Sequence, residues 1–110
     1  MITYNKLVRD KIPEIIAESG KKAETKILSN EEFLLELQKK AKEELSEYLN
    51  AKTEQESVEE LADLLEIIRS LAVLHGASFD DLEEVRRKKA ADRGGFEKKI
   101  FLIGVENEED

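Results

Sequence analysis

Two pairs of carboxylates, each spaced for one face of a helix, are the residues of this chain best suited to chemistry. Glu44-x-x-Glu47, preceded by Glu43, and Glu60-x-x-Asp63 fall within the stretch 43–63. On a helix, side chains three apart project from neighbouring points of one face. Twelve residues separate the pairs, enough for the end of one helix, a polar turn at 52–55 and the start of the next. Antiparallel helices joined this way bring the pairs opposite each other, so that four or five carboxylates converge. Such a gathering is unfavourable without positive charge in its midst. An all-oxygen donor set suits a hard divalent cation of the Mg²⁺ kind.

The helices that must hold these groups show in the apolar spacing. In the first, Leu34, Leu37, Ala41, Leu45 and Tyr48 make a stripe, with Glu44 on its margin and Glu47 one step further round. In the second, Val58, Leu61, Ala62, Leu64, Leu65, Ile67, Ile68, Leu71 and Leu74 cover more than half the circumference. Glu60 falls inside that arc and Asp63 at its border. An unpaired buried carboxylate costs several kcal/mol, so the arc separates Glu60 from solvated acids such as Glu59 and Glu66.

The rest of the chain supports this hairpin. After an opening arm, Asp10 is placed to cap a short helix running to about Ser19, with Pro13 in its first turn. Gly20 supplies a left-handed stop. Residues 22–28 alternate Ala23, Thr25 and Ile27 with charged neighbours, which predicts a short strand. Ser29-x-x-Glu32 is a capping box opening a long helix to about Ala51. The second long helix begins near Glu54 and ends at His75, before Gly76. Ser78-x-x-Asp81 caps a last helix that ends at Gly94-Gly95, and 96–103 reads as a second strand able to pair with 22–28. The expected fold is mainly α: a helical bundle built on a long antiparallel helix hairpin, with a small two-stranded sheet. One domain covers 1–105, and the acidic tail 106–110 is expected to be disordered. The hairpin cannot hide the broad apolar arc of its second helix, so a homo-oligomer is expected, a dimer in the first place.

Composition excludes several other chemistries. The chain has no cysteine, hence no disulfide frame, thiolate nucleophile or sulfur-ligated zinc. Its single histidine, His75, stands at a helix end outside both acidic pairs, whereas a di-iron bundle needs Glu-x-x-His on two helices. No phosphate-cradling glycine loop follows a strand. The opening residues lack the apolar core of a signal peptide, and no apolar stretch is long enough for a bilayer. A soluble cytoplasmic protein without a membrane partner is the expectation. A net charge of −8 argues against a nucleic-acid polymer as partner. Residues 1–30 carry a net +2, 31–66 a net −8 and 67–103 a net +2. Carboxylates at the centre and cations in both arms are what a metal–polyphosphate site needs.

E-x-x-E, twelve residues, then E-x-x-D resembles the signature of the all-α nucleoside triphosphate pyrophosphohydrolase superfamily, which includes MazG-like enzymes and phosphoribosyl-ATP pyrophosphohydrolases. The flanks YNKLVRDKIPEII, ESVEELADLLEII and KKAADRGGFEKKIFL extend the resemblance over roughly 4–103. It implies Mg²⁺-dependent hydrolysis, with Mn²⁺ able to substitute, between the α- and β-phosphates of a nucleoside triphosphate. The products would be a monophosphate and pyrophosphate, in a house-cleaning role. It further implies Glu44, Glu47, Glu60 and Asp63 as metal ligands. Glu43 and Glu44 become the candidate catalytic carboxylates, with the identity of the general base open. Lys6, Arg9 and Lys11 in the opening arm, and Lys88, Lys89 and Arg93 before the glycines, are the cations available to phosphate. Asp92 is a further candidate ligand, and Tyr4, Asn5 and Phe96 are candidate contacts to the base. Two alternatives stay open: a phosphoribosyl-ATP pyrophosphohydrolase of histidine biosynthesis, and a catalytically silent helical dimerisation module.

Overall fold

Local hydrogen bonding sets where each helix of the chain begins. The computed structural model describes residues 2–107, in which helices α1 (Ile12–Glu18), α2 (Asn30–Leu49), α3 (Glu54–Leu74) and α4 (Phe79–Arg93) follow in order. At Ser29 the hydroxyl accepts from the Glu32 amide at 3.2 Å while the Glu32 carboxylate accepts from the Ser29 amide at 3.3 Å. The same reciprocal box opens α4, between Ser78 and Asp81. At α3, Thr53 Oγ1 accepts from the Glu56 amide at 3.0 Å, and the Glu56 carboxylate takes the Lys52 amide at 3.0 Å. Each arrangement satisfies amide donors that have no partner inside the helix.

Helix α1 starts differently from expectation. Its N-cap is Lys11, already in a helical conformation and without a side-chain cap, although Pro13 does occupy the first turn. Asp10 is not the cap because a backbone turn gets there first: the Ile12 amide donates to the Arg9 carbonyl at 3.0 Å. Gly20, with φ of 85°, closes α1 in the left-handed region that glycine enters at no steric cost.

Helices α2 and α3 form the hairpin and make the main packing contact; α4 meets α3 over a smaller area. Among the described residues the buried apolar side chains are Leu37, Ile67 and Ala72, and one acid, Glu44, is buried with them. The chain is elongated, 70 × 35 × 25 Å, with a radius of gyration of 19.4 Å. A closed globule of this length would have a radius of about 13 Å. Val58, Leu61, Leu65 and Ile68, spaced three and four apart along α3, all remain exposed on the face that α2 does not cover.

The small sheet expected between 22–28 and 96–103 does not form: among the described residues neither segment is a strand. Ile27 is 98% exposed and Ile103 94%. Strand propensity reflects packing of side chains on a half-buried surface, and neither segment has such a surface to lie on. Residues 108–110 of the acidic tail lie outside the described residues. No described helix is long and apolar enough to cross a membrane.

Candidate metal centre

The line of α2 that faces α3 runs through Leu37 and, two turns on, Glu44. Both are buried, and Glu44 is only 8% exposed. This corrects the expectation that placed Glu44 on the margin of its stripe, while Glu60 was expected inside the apolar arc of the second helix. Leu45, counted in that stripe, is 46% exposed, and Glu60 is half-buried. The helices cross on the Leu37–Glu44 line, so the acid sits between them while the neighbouring leucine faces outward.

Across the hairpin, Glu44, Glu47 and Glu60 each bring a carboxylate oxygen within 4.8 Å of the others. Glu44 Oε2 and Glu60 Oε2 are both buried with no hydrogen-bond donor. Burial, then the nearby carboxylates of Glu60 and Glu47 and the charge of Asp63, push the Glu44 carboxyl up to about 7. For Glu60, the neighbouring Glu44 carboxyl favours the ionised form. The adjacent Glu47 carboxyl, burial and the charge of Asp63 outweigh it, and the net direction is upward. Two enclosed oxygens without donors, in an all-oxygen set with excess negative charge, fit a hard divalent cation. They suit no softer metal.

Asp63 stands apart from this triad. Its Oδ1 accepts from Arg9 Nη2 at 2.7 Å, a pairing across 54 residues. Arg9 closes an arm whose Lys6 and Leu7 line one small cleft together with Glu36, Lys39, Lys40 and Glu43 of α2. Leu7 is half-buried, Asn5 turns the arm with φ of 45°, and Lys6 Nζ lies 5.7 Å from the Tyr4 ring centroid. The arm therefore touches both helices of the hairpin beside the acidic residues. Glu43 lines the same small cleft as Lys6 and is not one of the triad. Lys11 is exposed at the start of α1.

The cations of α4 are placed elsewhere. Lys88 Nζ lies 3.7 Å from Glu84, and Lys89 and Arg93 are exposed in the last turns. Helix α4 packs on α3 and not on α2, and among the described residues no hydrogen bond or ion pair joins these three to the triad. Asp92 is exposed on the same helix, and Tyr4, Asn5 and Phe96 are exposed too. Lys39, expected on the outer side of the long helix, and Lys40 line the same cleft as Lys6 and Glu43; Lys39 precedes Glu43 and Lys40 precedes Glu44 by one helical turn. That spacing was the available signal for both.

Comparison with curated proteins and with solved structures returned no match to the chain. Residues 5–89 match the phosphoribosyl-ATP pyrophosphohydrolase family, a span that takes in the arm, α1, α2, α3 and most of α4 but stops short of the Gly94-Gly95 turn. With the arm and the carboxylate-lined hairpin both inside that span, the chain belongs to the phosphoribosyl-ATP pyrophosphohydrolase family, within the all-α nucleoside triphosphate pyrophosphohydrolase superfamily.

Proposed function

We propose that the protein is a Mg²⁺-dependent nucleotide pyrophosphohydrolase, cleaving between the α- and β-phosphates to release a monophosphate and pyrophosphate. One observation carries this: Glu44 is buried with an unpartnered oxygen among three carboxylates drawn from facing helices. Glu44, Glu47 and Glu60 would hold the ion, and Asp63, one turn along α3 from Glu60, is the next carboxylate in line. A bound divalent ion would offset the triad's repulsion, screen phosphate charge and acidify a water for attack on phosphorus. Glu43, beside Glu44 but outside the triad, would be the carboxylate available as a general base.

Arg9, Lys6 and Lys11 supply cations from the arm, and charge spreading during phosphoryl transfer needs such partners. Lys88, Lys89 and Arg93 keep a phosphate role if α4 of a second copy closes over the hairpin. That arrangement agrees with a homodimer formed on the exposed stripe Val58, Leu61, Leu65 and Ile68. The proposed setting is a cytoplasmic clearing of surplus or non-standard nucleotides. A second reading, phosphoribosyl-ATP hydrolysis in histidine biosynthesis, is favoured by the description of the matching family.

Pyrophosphate release from a panel of nucleoside triphosphates and phosphoribosyl-ATP, with Mg²⁺ and with EDTA, tests both. Metal-dependent release from the triphosphates supports the first reading, and release from phosphoribosyl-ATP alone supports the second. Release from no member of the panel would leave a silent helical dimerisation module.

A further inference from the structure

Three of the four carboxylates in the paired motifs bring their oxygens together, and Asp63, one turn from Glu60, does not. Its Oδ1 is held at 2.7 Å by Arg9, delivered by the arm that lies across the hairpin. Glu44, more than nine-tenths buried, meanwhile turns an unpartnered oxygen into the triad. Among the described residues a guanidinium thus stands at the rim of the acidic centre, and no cation pairs with the carboxylates that are most enclosed.

We infer that Arg9 is a positioning residue that latches Asp63, so that loading of the acidic centre with a divalent cation and release of the arm are a single linked event; this rests on the metal-binding reading above. The pair is easily broken. Its side chains are 57% and 43% exposed, and exposed ion pairs hold weakly and are screened by salt. A divalent ion in the triad draws Asp63, the nearest further carboxylate, out of the pair. Arg9 is then freed beside the place where phosphate charge arrives, and its planar fork suits phosphate oxygens. Coupling of this kind is reciprocal: if the metal releases Arg9, then Arg9 weakens metal binding. An arginine serving only as a phosphate contact, or only as a structural tie, would have no such effect.

Calorimetric titration of Mn²⁺ into the metal-stripped full chain, with the bound ion followed by electron paramagnetic resonance, tests the latch without substrate. Arg9→Ala should tighten Mn²⁺ binding roughly two- to fivefold at low ionic strength, the fold-change that corresponds to losing one exposed ion pair. The gain should shrink in high salt and vanish in an Asp63→Asn background. Arg9→Lys should fall between parent and Arg9→Ala, and Arg9→Gln carries the same expectation as Arg9→Ala should the alanine variant unfold. Unchanged or weaker Mn²⁺ binding in the folded variants overturns the latch and leaves the metal centre standing. No Mn²⁺ binding to the parent chain overturns both.

Discussion

Replacing Glu44 by Gln removes a charge from the most enclosed point of the acidic centre while keeping the side chain's size. In the native protein this carboxyl is pushed from 4.5 up to about 7, first by burial and then by Glu60 and Glu47. Between those values the folded chain keeps a proton that the unfolded chain has released. The stabilisation this gives is complete below about pH 4.5 and lost as pH rises through about 7. At 1.36 kcal/mol per pKa unit, the loss is up to about 3 kcal/mol, or on the order of 12 °C in Tm for a domain of this size. Glu60, also raised, acts in the same direction. In EDTA the parent should therefore melt higher at about pH 5 than at about pH 8. Glu44→Gln should flatten that dependence, melt above the parent at the higher pH, and lose most of the stabilisation that millimolar Mg²⁺ confers on the parent. Circular-dichroism melts at constant ionic strength read all three. A parent whose EDTA melts do not change with pH, or a variant that keeps the whole Mg²⁺ gain, would refute the reasoning.

Two other expectations concern the scaffold. Ser29→Ala removes the hydroxyl that accepts from the Glu32 amide and should cost about 1 kcal/mol in urea denaturation, with an unchanged m-value. Leu65→Lys places a charge in the exposed stripe of α3. In sedimentation velocity it should shift the proposed dimer to monomer, and a species of unchanged size would move the interface to another face.

The parts of this fold that were legible in the chain are those closed within a few residues. The Ser29-x-x-Glu32 and Ser78-x-x-Asp81 boxes join atoms three positions apart, so their sequence already contains every partner. The left-handed glycines after α1 and α3 are of the same kind: Gly20 and Gly76 have φ of 85° and 82°. Where a local rule failed, a competing partner or an absent one explains it. Asp10 lost its capping role to the Arg9 carbonyl. The alternation at 22–28 found no surface to lie on.

The candidate site divides the same way. That two acidic pairs occupy facing helices follows from their spacing, because helix geometry maps sequence distance onto direction. Which acid is buried does not follow. Apolar residues alone put Glu44 at an edge, and only the crossing of α2 on α3 turns the Leu37–Glu44 line inward and leaves Leu45 in solvent. The pairing of Arg9 with Asp63 spans 54 residues, and no periodicity extends that far. Short-range hydrogen bonds are written into neighbouring residues, whereas burial and long-range charge pairing depend on distance in space, which exists only once the helices have packed.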